Sequence, residues 1–567
     1  MRTLAALGLV ALLAASCLAA GAAPDVVLVT LDTVRADRMG FLGSKRGLTP
    51  ALDALAREAV VFEQAFAQAP LTTVSHATIL SGTYPPTHGV QDFGIELPAS
   101  LPWLPAALAA RGYQTGAFVG SIVLDPKGPI APGFDRGFSV YDAGFERRRD
   151  GADPYRTKER RGMEVVSRAL AWLAGRRGVP VFLWVHLYDA HDPYDAPEPF
   201  ASRFAKAPYD AEIAGVDAAF GRLVEGLREL GRLDGAVMAV AADHGESLGA
   251  HGEDTHGVFL YDETIHVPML VRLPRGDERG RRVPLRVSLV DVAPTLLEAA
   301  GLAIPEAMQG VSLLPLARGA RASERPAYAE SEYSHRVFGW SPLHAWRSER
   351  FLFVEAPRRE LYDQRADPGS TRNLASERPA IVAGMSGEIE RARSAWSARA
   401  RPSAPAKADP ELVERLASLG YAAGATAGAL PPPSGVDPKD KIQVTNLLQR
   451  ATEAGESGRW DAAIPLYEKV VASDPQIFTA RLELGLALAR KREWARALPH
   501  LKLVAERLPD YADARFTLGL AYSSLGRNAE AIAELRAALA QEPGHKAAAA
   551  LLEKLQASGA PPSPPRD

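Results

Sequence analysis

"LTTVSHATILSGTYPPTHG", Leu71–Gly89, is the stretch on which the reading of this chain turns. It has the outline of a nucleophile loop running into a helix: a hydroxyl residue, Thr72, stands near its head, and Gly82 closes the helical run. No cysteine lies in it. Thr72 is therefore either an attacking alcohol or part of a dismantled site, and the rest of the chain must decide which.

On either side, between Asp25 and about residue 400, short apolar runs alternate with amphipathic helical stretches. "VVLVTL" (Val26–Leu31), "VFLWVHL" (Val181–Leu187), "AVMAVAA" (Ala236–Ala242) and "VPMLVRL" (Val267–Leu273) read as buried strands. The alternation predicts an α/β domain, a mainly parallel sheet sandwiched by helices. Sites in such sheets collect beyond the carboxyl ends of strands. That rule singles out Asp32 after the first run, His191 shortly after the second, and Asp243-His244 after the third. One aspartate after a strand is commonly a helix cap. Three strand ends carrying Asp, His and Asp-His make a stronger case. Carboxylates with imidazole are ordinary ligands of Zn²⁺ or Mn²⁺, with Mg²⁺ or Ca²⁺ less suited to the histidine. His186, inside its strand, reads as core.

The chain has 567 residues, enough for two or three domains, with 47% hydrophobic and 23% charged residues. A formal net charge of −3 gives no reason to expect a nucleic-acid partner. Residues 1–23 are of another kind: Arg2 precedes the apolar run "LAALGLVALLAAS", and small residues follow. That is the layout of an export signal, too short to span a bilayer. Its Cys17 is the sole cysteine, so the folded domains carry no disulfide. "LAASC" resembles a bacterial lipobox, with Ala14 an imperfect match. The expectation is an exported protein, either freely periplasmic or an outer-envelope lipoprotein whose lipid would be its sole membrane anchor.

The hydrolase-like domain is expected over 24–400, and a linker rich in Pro, Ala and Gly over 401–440, with one short helix "ELVERLASLGY". Beyond it the chain repeats. Pro475, Pro509 and Pro543 share one register with Ala463, Ala497, Ala531 and with Tyr467, Leu501, Leu535; Leu484-Gly485 recurs as Leu518-Gly519. A helix–turn–helix period of this length resembles the tetratricopeptide repeat. Three repeats and a capping helix fill 441–557, ahead of a disordered tail, 558–567. The resemblance implies an all-α solenoid with a groove for a protein or peptide partner.

Residues 25–370 are similar to the sulfatase branch of the alkaline phosphatase superfamily. "TTVSHATILSG" (Thr72–Gly82) fits the sulfatase signature C/S-x-P-S-R-A-x-L-x-T-G without a gap. "ADHGESLGAHGE", "LYDETIHVPMLVRLP" and "ELYDQRADPGSTRNLA" look like the family's later landmarks. The departures bear on chemistry. Sulfatases convert the signature cysteine or serine to formylglycine; Thr72 cannot become that aldehyde, and Val74 and His76 replace the proline and arginine that the modifying enzyme reads. The family's paired aspartates are Asp32-Thr33 here. Ser121 and Val123 stand where its lysine and histidine fall, and near the position of its later lysine the closest candidate is His256.

What remains resembles superfamily members that use an unmodified threonine on phosphate or phosphonate esters. The resemblance implies one divalent ion (Mn, Zn, Ca or Mg) held by Asp32, Thr72, Asp243 and His244. It implies that Thr72 attacks, that His191 and His256 serve substrate oxygens and the leaving group, and that His76 either orients Thr72 or lies on the helix surface. A rival assignment puts a second metal on Asp189, His191 and His256. Two other functions stay open: a sulfuric ester hydrolase with an unconventional nucleophile, and a sulfatase-like binding protein without turnover. The substrate expected is an anionic ester.

Overall fold

The computed structural model describes residues 23–127, 130–145, 159–400, 432–507, 509 and 511–558. The expected export signal with Cys17, the helix expected at "ELVERLASLGY" and nearly all of the expected tail lie outside them. Eight strands make the main sheet: β1 (Val26–Leu31), β2 (Val60–Phe66), β3 (Gln114–Val119), β4 (Val140–Asp142), β5 (Val181–Leu187), β6 (Val237–Ala242), β7 (His266–Arg272) and β8 (Arg282–Ser288). Their order is β4-β3-β5-β1-β6-β7-β2-β8. Every residue of β1, β5 and β6 is buried, which is why these strands appear in the sequence as unbroken apolar runs.

Five of the seven strand pairings are parallel; β7 runs antiparallel to both β6 and β2. The reason lies in the connection. Between β6 and β7 the longest helix is the single turn Asp262–Ile265, and a parallel return needs a longer crossover.

Helices cover the sheet. The labels α1 (Thr72–Ser81), α2 (Gly162–Ala174), α3 (Pro208–Glu229) and α4 (Val292–Ala299) serve below. α2 packs on α3 and on β3 and β5, whereas α1 packs on α4, which reaches β6.

A second, antiparallel sheet has no counterpart in the sequence reading, which ran one mainly parallel sheet through to residue 400. It comprises β9 (Ala327–Ser331), β10 (Leu343–Arg347), β11 (Phe351–Glu355) and β12 (Glu360–Asp363), in the order β12-β11-β10-β9. Helix α5 (Pro379–Ser397) covers it, closing a separate small core around Tyr328, Phe353, Leu361 and Ile389.

The repeats form seven helices, beginning with α6 (Ile442–Glu456) and ending with Lys546–Ser558. Ala463, Ala497 and Ala531 are fully buried at the helix crossings. The recurring glycine is a matter of space: a Cβ on Gly519 would lie 3.0 Å from the Leu535 Cγ, and one on Gly485 3.1 Å from the Leu501 Cδ2. Residues 432–440 depart from the expected linker. The Ser434 amide donates to the Gly339 carbonyl, Ser341 donates to Val436, and Asp437 accepts from the Arg358 amide at 2.9 Å. The approach to the repeats is thus packed against the first domain.

Candidate functional site

β1 and β6 are neighbours in register, Leu31 beside Ala242, so the next residues of each strand, Asp32 and Asp243, leave the sheet side by side. β5 flanks β1 on the other side, which sets His186 opposite Thr30. The Ser75 hydroxyl donates to the Asp243 carbonyl at 2.7 Å, and the Thr73 hydroxyl to the Val123 carbonyl at 3.0 Å. These two bonds seat the first turn of α1 over the strand ends. All ten residues of α1 are buried, polar ones included.

Asp32, Asp243 and His244 each present a ligand atom within 4.8 Å of the others, and all three are fully buried. Asp32 Oδ1 and Asp243 Oδ2 have no hydrogen-bond partner within the protein. Orphaned buried carboxylate oxygens are costly unless something positive meets them. Burial pushes Asp32 up to about 7 and raises Asp243 as well, the second carboxylate adding to the rise. His244 offers the right nitrogen. The Gly245 carbonyl, 3.0 Å away, can accept only from a protonated Nδ1, which leaves the Nε2 lone pair facing the carboxylates. The Thr72 Oγ1 lies 3.3 Å from that Nε2. Donors bound at ~2.1 Å around a tetrahedral ion stand roughly 3.4 Å apart, so oxygen, imidazole and two carboxylates suit a divalent cation such as Zn²⁺ or Mn²⁺.

Two buried histidines brace this set. His186 accepts from the Gly120 amide at Nδ1 (3.4 Å) and donates from Nε2 to Asp32 Oδ2 at 2.9 Å. It touches a candidate ligand, a role that the reading of it as plain core missed. The signal lay in strand pairing: it sits one residue before the end of β5, beside the strand that delivers Asp32. His76 is fully buried, not a surface residue of the helix. Its Nδ1–H donates to the Thr72 carbonyl at 2.8 Å, and Nε2 lies 2.9 Å from the Thr30 hydroxyl, which itself receives the Trp184 indole N–H. Burial holds His76 down at about 3 and His186 at about 4, so both are neutral. His76 grips the backbone of Thr72 from behind.

Thr33, in the place of the second aspartate, has a left-handed φ of 55°, uncommon for a β-branched residue. Its hydroxyl donates to the Ala190 carbonyl at 2.7 Å and its amide to Asp243 Oδ1 at 3.3 Å. Strain here serves to aim the end of β1.

His191 and His256 form the rim, 7% and 8% exposed where the deeper residues show none. Their rings meet edge-on at 5.1 Å, and His256 lies 4.6 Å from His244. His191 donates from Nδ1 to the Asp192 carbonyl at 2.6 Å and stacks on Tyr188. His256 Nδ1 sits 3.2 Å from Glu246 Oε1, a fully buried carboxyl raised to about 8. Glu246, in "ADHGES", is another residue the sequence reading passed over.

Asp189 does not join these histidines in a second metal site. Both of its oxygens accept from the Gly162 amide, at 2.9 and 2.8 Å, at the start of α2. Among the described residues Asp32, Asp243 and His244 make the one group of three acidic or histidine side chains placed for an ion.

Comparison with known proteins identifies the domains that carry this geometry. Residues 24–302 match the sulfatase family model, 252–394 the C-terminal model of N-sulphoglucosamine sulphohydrolase, and 448–512 and 488–555 two tetratricopeptide repeat models. An ulvan-active sulfatase of Formosa agariphila is 25% identical over 62% of this chain and 77% of its own. Steryl-sulfatase of Mus musculus is 26% identical over 67% of this chain and 83% of its own. The fold is shared with the phosphonate monoester hydrolase of Agrobacterium radiobacter, with a TM-score of 0.57 at 23% identity over 66% of this chain and 96% of that one. The chain belongs to the sulfatase family, an ester hydrolase of that superfamily carrying tetratricopeptide repeats behind its hydrolytic domain.

Proposed function

We propose that this protein is a metal-dependent hydrolase or transferase of phosphate or phosphonate esters in which Thr72 is the nucleophile. The observation that carries the reading is the Thr72 hydroxyl, 3.3 Å from His244 Nε2 beside two buried carboxylates with orphaned oxygens. A divalent ion bound there supplies Lewis acidity and lowers the pKa of an alcohol it contacts. His76 and Ser75 fix the position of Thr72. The amino end of α1 favours an anionic group beside it.

In the first step a bond forms between Thr72 Oγ and phosphorus while the phosphorus–ester oxygen bond breaks. The proton of Thr72 ends on the departing alcohol, with the rim imidazoles of His191 and His256 as carriers. Water, or an acceptor alcohol in a transferase, then attacks phosphorus, the bond from phosphorus to Thr72 Oγ breaks, and the proton lost by the attacking oxygen returns to Thr72. A sulfothreonine has no comparably easy exit, and Ser121 and Val123 leave the sulfatase set incomplete, so phosphorus esters are favoured over the sulfuric esters named for the curated relatives. Export through residues 1–23, and a peptide or protein held by the repeats, complete the proposal.

The test is an assay of Mn²⁺-loaded and Zn²⁺-loaded protein on an aryl phosphodiester, a phosphonate monoester and an aryl sulfate. Turnover of a phosphorus ester, lost in Thr72→Ala, with a phosphorylated Thr72 peptide in quenched reactions, is expected. Faster turnover of the sulfate, or a Thr72→Ala protein as active as wild type, overturns it. Metal binding with no turnover of any ester favours the binding protein.

A further inference from the structure

The segment after β6 that carries His256 does not stand alone. Its tip, Gly252–Thr255, is gripped by α6, the first helix of the repeats. Asn446 Nδ2 donates to the Gly252 carbonyl at 2.8 Å, while the Asp254 amide donates to Asn446 Oδ1 at 3.2 Å. Arg450 pairs with Asp254 at 2.6 Å. The Thr255 hydroxyl, one residue before His256, donates to Gln449 Oε1 at 2.7 Å. Ile442, Asn446 and Gln449 recur at helical spacing, so one face of α6 looks onto the segment that carries His256. The matched repeat begins only at residue 448, so the first turn of α6 lies before it.

We propose that Gln449 is a positioning residue for the hydrolytic site: its amide oxygen holds the Thr255 hydroxyl and so fixes the segment that sets the His256 ring edge-on to His191. The first repeat helix is then a structural part of the site, which is completed by both domains. The inference rests on the reading that these two imidazoles serve substrate oxygens, since only then does their spacing govern rate. Nothing in the repeats beyond α6 is required.

The test uses the full chain. Gln449→Ala is expected to lower kcat/KM at least tenfold on the phosphorus ester that wild type turns over best, chiefly through kcat, with Mn²⁺ affinity by calorimetry unchanged within twofold. Thr255→Val, which removes the hydroxyl that Gln449 accepts from, is expected to lose as much as Gln449→Ala, and the two together no more than either alone. Gln449→Ala with wild-type kcat, or a double variant whose losses multiply, overturns the proposal. Thr72→Ala is measured alongside: if it stays active, the nucleophile assignment fails while the Gln449 comparison is still read on the same ester. If wild type turns over none of the esters, amide exchange over 250–258 decides. Gln449→Ala is expected to speed exchange at Asp254 and Thr255 at least tenfold, and unchanged exchange overturns the tie.

Discussion

The deep half of this site and its rim are held by opposite means. Asp32, Thr72, Asp243 and His244 come from two paired strands and a helix buried on every side, and none is exposed. His191 and His256 come from segments without long regular structure, steadied by Glu246, Asp192 and a helix of another domain. On the proposed reading of the site, the contrast separates two tasks. Ligands for a cation must converge before the ion arrives, and a twisted parallel sheet gives that convergence through backbone pairing alone. Groups that meet substrate must admit it, and loops on a rigid frame are suited to that.

The sharpest way to break the comparison is to remove a deep ligand. Asp243→Asn deletes one of two facing buried carboxylates. It is expected to lose ~10³-fold in ester turnover, about 4 kcal/mol of barrier. Wild type should gain ~2.7 kcal/mol of stability from Mn²⁺ at a hundred times its Kd, and lose it to a chelator. The variant should show little of that gain, yet melt higher than wild type in chelator, because raised carboxylates are relieved of each other. Thermal melts with and without Mn²⁺ check this; equal ion responses in both proteins would show that the strand-end set does not hold the ion.

The two halves were also unequally legible in the sequence. Asp32, Asp243 and His244 announced themselves because each directly follows an apolar run that could only be a buried strand. The tetratricopeptide period was as plain, since one buried alanine and one close glycine must recur wherever helices cross. α1 gave no such sign: buried all round, with threonines, serines and a histidine satisfied internally, it has no apolar stripe, and its register came only from resemblance to a signature. His186 and Glu246 stayed hidden because their partners, Asp32 and His256, are distant or on an irregular segment. The antiparallel sheet under α5 was missed because its strands are only four or five residues long, and the grip of α6 on Gly252–Thr255 is a relation between domains that no local pattern encodes.

A brace can be separated from a ligand. His76→Ala removes two hydrogen bonds and leaves a cavity beside Trp184, at an expected cost of about 3 kcal/mol in urea unfolding. Because His76 holds the Thr72 backbone and not the ion, the stabilisation by Mn²⁺ should survive while turnover falls. A His76→Ala protein that no longer responds to Mn²⁺ would place this histidine among the ligands instead.

The smallest effect tests how far the influence of the repeats reaches. Gly519→Ala puts a methyl group 3.0 Å from Leu535 Cγ, and overpacking of that kind costs ~1 kcal/mol or somewhat more. The strain falls between Ala512–Ser524 and Asn528–Gln541, two helix pairs along from α6. In a solenoid each repeat contacts only its neighbours, so the loss should appear as earlier melting of the C-terminal helices and leave ester turnover within twofold of wild type. If Gly519→Ala instead depresses kcat as Gln449→Ala is expected to, the solenoid acts on the rim as one stiff body, and the bracing of His256 extends through all of its helices.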